Sequence, residues 1–327
     1  MLYELGDLSN FFKAISEKKN PLDWQTYLEL TVKWASFVDG LAKSSNVPGM
    51  DKELASMMSP EVMDYTWIPI NKRLESPGST VIPLDILKEL ISKTAHRVIA
   101  RQCFCRQGFA CEHYPKDLGC IYMGEATKDF DPAVAIHATV DQAIEHVDKC
   151  ISVGLVPDVG KIDFDSHLFG VAPHTHFATI CFCCDCCCLP RRYATTFFQP
   201  FRDRMFKLEG VSVTVDTDKC TGCGICEKRC FMGALSLADD KMVLAEEKCL
   251  ACGVCVEQCP QDAITIDVFD GEKMKKAFFE RIESQLDLYS SIPGKEVNMT
   301  PRGKIPHPRH GLKIPKYRHS RETKKQG

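Results

Sequence analysis

Several signals that would place a chain in a familiar class are missing from this sequence. It begins MLYELGDLSNFFKAISEKKN, without a basic segment followed by an apolar one, and we therefore expect no secretory signal. No run of about eighteen apolar residues occurs, which predicts that no helix spans a membrane. A Gly-x-Gly-x-x-Gly fingerprint, a phosphate-binding loop and a Gly-x-Ser-x-Gly elbow are also absent. These absences argue against a nucleotide or flavin site in this chain.

Cysteine, by contrast, is abundant. The 327 residues include 19 cysteines, and without a secretory signal we do not expect them to form a disulfide framework. Eight of them, near the C-terminal end, form two runs with the same C-x2-C-x2-C-x3-C spacing. The first run is Cys220, Cys223, Cys226 and Cys230. The second run is Cys249, Cys252, Cys255 and Cys259, followed by Pro260.

This spacing is typical of iron–sulfur ligands. Three cysteines at x2 spacing surround one side of a cluster, and the fourth cysteine of such a run binds the other cluster. We therefore predict that Cys259 completes a [4Fe–4S] cluster on Cys220, Cys223 and Cys226. Likewise, Cys230 is predicted to complete a second cluster on Cys249, Cys252 and Cys255. The alternative is a pair of structural zinc sites, but zinc ligands usually come as two well-separated C-x2-C pairs.

Residues 211–266 resemble the bacterial-type ferredoxins that hold two [4Fe–4S] clusters. Besides the two cysteine runs, Ala234-Leu235-Ser236-Leu237 recurs as Ala263-Ile264-Thr265-Ile266, an internal repeat with the same offset as Cys220 and Cys249. Each half is predicted to be a strand, a cluster loop, a short helix and a returning strand. Phe231 departs from the family, which usually has proline after the fourth cysteine.

A second set of cysteines lies in the middle of the chain. Cys103 and Cys105 belong to a Cys-Phe-Cys-Arg segment, and Cys111 and Cys120 follow. Six more lie in the run CFCCDCCC: Cys181, Cys183, Cys184, Cys186, Cys187 and Cys188. Because side chains of an extended segment alternate between two faces, Cys184, Cys186 and Cys188 would face one way and the other three another, unless a turn intervenes. We infer that the run bridges two sites or binds one large cluster from several sides.

Three schemes account for these ten middle cysteines. In the first, Cys103, Cys105, Cys111 and Cys120 hold a third [4Fe–4S] cluster and the six-cysteine run holds a fourth, with two thiols spare. In the second, both segments share one enlarged cluster. In the third, the run is a zinc site or a reactive thiol patch. We expect one or two iron–sulfur clusters in addition to the two ferredoxin clusters.

Residues 80–200 are similar to poorly characterised, cysteine-rich 4Fe–4S binding proteins of anaerobic microbes. The matching pieces are Cys-Phe-Cys-Arg, Leu118-Gly119-Cys120, Gly154-Leu155-Val156 and Cys-Cys-Asp-Cys-Cys-Cys. This resemblance implies iron–sulfur binding, but it supplies no reaction.

The predicted fold class is α+β, with four regions. A helical N-terminal region covers 1–80, a cysteine-rich iron–sulfur domain 81–208, a pseudo-two-fold ferredoxin domain 209–268, and a helix with a basic tail 269–327. The N-terminal part is expected to be mainly helical, with an amphipathic helix at residues 22–44. In the middle domain, Thr139 followed by Gln142 is typical of a capping box that begins a helix.

Charge suggests the kind of partner. Residues 211–267 contain ten Asp or Glu against five Lys or Arg, which favours a basic docking partner. Residues 302–327 contain nine Lys or Arg and one acid. This tail could dock on an acidic partner, lie on the protein's own body or remain solvated. Nucleic acid is not expected, because the tail has one aromatic residue, Tyr317, and no recognised binding module.

Together these features predict an intracellular electron-transfer protein. It would pass electrons between two [4Fe–4S] clusters, a cysteine-rich middle domain and a redox partner protein. One alternative is a reductase or reductive activator whose reactive cluster or thiol lies in Cys181–Cys188, so enzymatic activity stays open. Another is an iron–sulfur cluster carrier or assembly factor. We expect a cytoplasmic, reducing location, because exposed clusters and free thiols are easily oxidised.

Overall fold

A computed structural model of the protein describes residues 63–70, 83–162, 165–166, 169–191 and 202–292. The predicted helix at 22–44 and the basic tail at 302–327 lie outside these residues. Helices and sheets are both present, as the α+β prediction requires.

The middle of the chain forms one mixed sheet that the sequence did not predict. Its strands are β1 (Met63–Trp67), β2 (Arg97–Ala100), β3 (Ile121–Met123), β4 (Ala135–His137), β5 (Val156–Ile162), β6 (Ala178–Cys183) and β7 (Met205–Lys207). Their order in the sheet is β4-β2-β3-β6-β5-β1-β7, and all neighbours are antiparallel except β1 and β7. The strands are short and some are buried throughout, so they lack the alternation that identifies a half-exposed strand.

Strand β1 lies in the 1–80 region that was predicted to be helical. It pairs with β5, with Met63 opposite Ile162, and with β7, with Tyr65 opposite Met205. The sheet of the cysteine-rich domain therefore crosses the predicted boundary at residue 80. Aromatic and β-branched residues in the β1 sequence MDYTW favour a strand, but the segment is too short to stand out.

Helices α1 (Pro83–Lys93), α2 (Phe104–Gly108) and α3 (Val140–Ser152) accompany the sheet. The predicted capping box at the start of α3 is confirmed, because the Gln142 amide donates to Thr139 Oγ1 (3.2 Å) and the Thr139 amide donates to Gln142 Oε1 (2.9 Å). Short 3-10 turns cover Glu125–Asp129, His174–His176 and Glu246–Lys248. Cys150 in α3 is fully buried, and burial raises its pKa to about 12, which makes it an inert core thiol.

The C-terminal cysteine runs lie in a second unit with the predicted element order. Its first half is β8 (Val211–Val215), a loop, α4 (Ile225–Arg229) and β9 (Leu235–Ala238). The second half is β10 (Lys241–Leu244), a loop, α5 (Val254–Gln258) and β11 (Ile264–Val268). Strand β8 pairs with β11 and β9 with β10, both antiparallel.

Left-handed backbone conformations repeat at equivalent positions of the two halves. The pairs are Gly222 (φ 66°) with Ala251 (φ 50°), Gly224 (φ 71°) with Gly253 (φ 86°), and Gly233 (φ 61°) with Asp262 (φ 49°). Gly222 also approaches the backbone closely, since a Cβ there would lie 2.3 Å from the Asp240 carbonyl oxygen. The repeat seen in the sequence is therefore a repeat of the cluster-loop backbone as well.

Helix α6 (Gly271–Glu283) returns from this C-terminal unit to the large sheet. Its buried face includes Met274, Phe278 and Ile282. Arg281 then donates from Nε to Asp64 Oδ1 (2.9 Å) and from Nη2 to Asp64 Oδ2 (2.5 Å), and Asp64 lies in β1. The two cysteine-bearing units are thus held against each other by a helix and a two-bond ion pair.

Candidate metal centres

The sequence predicts two ligand sets among the eight C-terminal cysteines, and the fold brings the fourth cysteine of each run near cysteines of the other run. Burial raises the pKa of Cys226, and the thiols that raise it further belong to Cys259 and Cys223. Burial also raises the pKa of Cys255, as do the thiols of Cys252, Cys249 and Cys230 and, with a smaller effect, the thiol of Cys226. Each fourth cysteine therefore lies beside the other run. We call the two sets the outer group (Cys220, Cys223, Cys226 and Cys259) and the inner group (Cys230, Cys249, Cys252 and Cys255).

Backbone amides donate to sulfur in equivalent places of both sets. The Ala234 amide lies 3.3 Å from Cys230 Sγ, and the Ala263 amide lies 3.3 Å from Cys259 Sγ. The Ala251 amide lies 3.3 Å from Cys249 Sγ. Such N–H···S bonds stabilise thiolates and are among the features that set the reduction potential of a bound cluster. The donor sets fit iron–sulfur clusters.

Four middle cysteines converge on one point. The sulfurs of Cys111, Cys184, Cys186 and Cys187, here the Cys111 group, all lie within 4.8 Å of one another. Cys186 Sγ is 3.5 Å from Cys111 Sγ, 3.5 Å from Cys187 Sγ and 3.7 Å from Cys184 Sγ. Because the Cys184 thiolate accepts from the Cys186 and Cys187 thiols, the pKa of Cys184 is well below its ordinary value.

Four others form a neighbouring set, here the Cys103 group: Cys103, Cys105, Cys120 and Cys181. Cys120 Sγ lies 3.9 Å from Cys181 Sγ. The Cys105 and Cys120 thiols donate to Cys103 and hold its pKa well below its ordinary value. A thiolate is the metal-binding form of cysteine, so this set, like the Cys111 group, is suited to ligation.

The two sets divide the cysteines differently from the first scheme above. That scheme joined Cys111 to Cys103, Cys105 and Cys120, whereas the fold places Cys111 with the six-cysteine run and Cys181 with the earlier segment. Strand β6 ends at Cys183, and a turn follows at residues 185–187. Because of this turn, strict alternation of the side chains stops within the run. The run therefore places thiols in both sets.

Cys183 and Cys188 remain between the two sets, and both are buried. Burial raises the pKa of each thiol. Cys183 Sγ donates to Asp158 Oδ2 at 3.7 Å, and burial raises the pKa of Asp158 to about 8. Sequence reasoning missed Asp158. The feature of the sequence that could have identified it is a single acidic residue within a mostly apolar segment, which forms strand β5 (Val156–Ile162).

Arg106 joins the segments that carry these thiols. Its side chain is fully buried, and it donates from Nε to the Pro115 carbonyl (2.8 Å), from Nη1 to the Phe182 carbonyl (2.8 Å) and from Nη2 to the Leu118 carbonyl. Burial acts against its charge, but the thiolates of Cys103 and Cys120 raise its pKa above the ordinary value. Arg106 thus fixes helix α2 and the loop after it to strand β6, and it places a positive charge among the thiols.

The inner group faces the middle domain through two arginines. Arg191 is buried, and its guanidinium lies 4.4 Å from the ring centroid of Phe231, which directly follows Cys230. Burial raises the pKa of Cys252, and the charge of Arg191 works in the opposite direction. Arg229, directly before Cys230, forms an ion pair with Asp185, which lies between Cys184 and Cys186. Residues that are next to cysteines in the sequence, one in each cysteine system, are therefore in direct contact.

A cleft of about 310 Å³ lies at this junction. Its polar lining includes Tyr114, Asp185, Arg191, Arg229 and Glu257. Tyr114 has a raised pKa because of burial and the Asp185 charge. The volume is at the lower end of the range for small-molecule sites, about 300–1,000 Å³.

Comparison with known proteins identifies the C-terminal unit. Residues 219–264 match the family described as 4Fe-4S dicluster domain. The match covers both cysteine runs, and this part of the chain is an iron–sulfur, ferredoxin-like domain. No curated protein matches the chain. In the part of the chain that the structure describes, no helix is long and apolar enough to cross a membrane.

Proposed function

We propose, from the 4Fe-4S dicluster domain at residues 219–264, that the protein transfers electrons through three iron–sulfur centres. Two [4Fe–4S] clusters would be held by the outer and inner groups, and a third by the Cys103 group. Bound clusters of this kind each accept and release one electron. The observation that carries the proposal is the direct contact of the inner group with the cysteine-rich middle domain.

Several contacts of the chain's own residues join the inner group to the middle domain. The Ile70 amide donates to the Cys252 carbonyl at 3.3 Å, and the rings of Trp67 and Phe231 are 4.9 Å apart. Arg191 lies 5.7 Å from the Trp67 ring centroid, so its charge is held between the inner group and strand β1. A buried cation favours the reduced, more negative form of a nearby centre. We propose that Arg191 supports electron exchange between the two domains.

The outer group is the proposed entrance for a redox partner protein. Cys223 is exposed, whereas the four inner cysteines are half-buried. The acidic excess of the surrounding domain would attract a partner with a basic docking face. We also propose a cytoplasmic, reducing setting, in which such an exposed centre would survive.

Electron transfer to a basic acceptor tests the proposal. Protein purified without oxygen, reduced with dithionite and then desalted should reduce oxidised cytochrome c. The rate should fall about tenfold or more as ionic strength rises from ~0.01 M to ~1 M, because electrostatic steering is screened. Stopped-flow absorbance of cytochrome c measures this rate. Metal-free protein is the control and should transfer nothing. Loaded protein that passes no electrons to cytochrome c would contradict the proposal.

The cleft beside Asp185 favours a second candidate function, a reductase with its substrate at the junction. Val153 lines the cleft and is 40% exposed, so Val153→Trp should fill space there without touching a cysteine. Under this candidate, the variant should slow re-oxidation by a small organic substrate about tenfold, while its iron content stays unchanged. Equal rates in wild type and variant would favour the electron carrier over the reductase.

A further inference from the structure

The Cys111 group differs in size from the other cysteine sets. Among the residues that the structure describes, it is the one place where three or more candidate metal-ligand atoms lie within 4.8 Å of one another. The outer and inner groups are described in full, yet no three of their sulfurs meet this limit. The same fold thus spaces thiols in two ways, widely in the ferredoxin domain and tightly here.

The tight spacing is that of ligands around one ion. With metal–sulfur bonds of about 2.3 Å, the sulfurs of a tetrahedral zinc site lie about 3.8 Å apart. Sulfur distances to Cys186 are 3.5, 3.5 and 3.7 Å. A four-iron cluster is larger than a single ion, so its thiolates must stand further apart. These four thiols would have to separate to admit a cluster, but they can hold a single ion with small shifts.

The local sequence and backbone around these four cysteines also fit a site for a single ion. Cys184 and Cys187 form a C-x2-C pair, a spacing typical of zinc ligands. The turn between them lets the Cys187 amide donate to Cys184 Sγ at 3.2 Å, which fixes the sulfur's orientation. Cys111 comes from the distant loop after α2, so the set joins two segments. We infer that Cys111, Cys184, Cys186 and Cys187 form a structural site for one tetrahedral zinc ion.

Such an ion would have a defined task in the fold. It would hold the Cys111 loop against the turn at 185–187, and this turn carries Asp185 toward Arg229 of the ferredoxin domain. A closed set of four protein ligands leaves no open position for a substrate, so the site would be structural. The inference goes beyond the proposed electron transfer and does not depend on it.

Metal analysis of the full chain tests this inference. Protein purified without oxygen should contain about one zinc per chain in addition to its iron, and Cys111→Ser and Cys186→Ser should each lower the zinc content at least tenfold. Iron in the ferredoxin domain should be unchanged in both variants. Cys150→Ser, which alters a buried thiol outside all four sets, is the matched control and should keep its zinc.

Cobalt gives a readout that does not depend on how well the variants fold. Wild-type protein produced with Co²⁺ should show the absorption of a tetrahedral thiolate site, and Zn²⁺ should displace that absorption. Iron in place of zinc, with a cluster signal that Cys111→Ser removes, would overturn the inference and leave electron transfer standing. Zinc with no reducible clusters would instead support the inference and overturn the proposed function.

Discussion

Replacing Arg106 with methionine should lower the free energy of unfolding by about 4 kcal/mol. The substitution leaves the carbonyls of Pro115, Leu118 and Phe182 without their donor, and of these residues Phe182 is buried, Leu118 is half-buried and Pro115 is exposed. A buried carbonyl without a partner costs about 1–3 kcal/mol, and removing the cation from a buried charge pair, here beside the Cys103 thiolate, costs about 3–5 kcal/mol. Removal of the buried charge itself offsets part of this total. Because domains are stable by about 5–15 kcal/mol, the loss would be a large fraction.

The same change should empty the Cys103 group. Arg106 supplies the positive charge beside Cys103 and Cys120 and holds the loops that carry them. Arg106→Met is therefore expected to lower the urea midpoint, measured by circular dichroism, and to remove the iron of that group. Arg106→Lys keeps the positive charge but cannot donate to three carbonyls in the same geometry. Its urea midpoint and iron content should therefore lie between those of the wild type and Arg106→Met.

Arg101→Met is the matched control for Arg106→Met. Arg101 is exposed and makes one bond of the same kind, from Nε to the Pro132 carbonyl at 2.8 Å. Its replacement should change the free energy of unfolding by about 0.5 kcal/mol or less. If Arg106→Met behaved like Arg101→Met in both urea midpoint and iron content, Arg106 would not organise the middle thiols.

Replacing Cys259 with serine should remove the cluster of the first cysteine run, although Cys259 belongs to the second. The fold places Cys259 beside Cys226 and places Cys230 beside Cys255. Loss of one cluster removes about four irons per chain. We expect the outer centre to disappear from the EPR spectrum while the inner centre remains.

Two further variants identify which centre is lost. Cys223→Ser changes an outer ligand in the first run, so its remaining signal should coincide with that of Cys259→Ser. Cys230→Ser should lose the other signal, although Cys230 lies in the first run. A Cys259→Ser protein that kept the outer signal and lost the inner one would show that each run binds its own cluster.

The ferredoxin domain was predictable because its information is local. The spacing of Cys220, Cys223 and Cys226 needs only a short loop, and the repeat at Ala234 and Ala263 predicted the two-fold element order. The capping box at Thr139 is equally local and was found for that reason. Such features depend on residues a few positions apart, where sequence determines geometry directly.

The middle domain was harder because its sites depend on contacts between distant segments. The pairing of Cys111 with Cys186 depends on the turn that ends strand β6, and the sequence alone could not place that turn. The large sheet escaped prediction because its buried strands lack alternation, and β1 comes from beyond the expected boundary. The ion pair between Asp64 and Arg281 could not be predicted either, because the two residues are distant in sequence and meet only in the tertiary structure.

Iron and sulfide per chain, measured with EPR during a reductive titration, test the central claim most directly. The account predicts about twelve irons and twelve sulfides, the content of three cubanes, with three centres that accept one electron each. About eight irons, with two reducible centres, would contradict an electron-carrying middle domain. In that case the protein would be a dicluster ferredoxin joined to a domain of thiols or zinc.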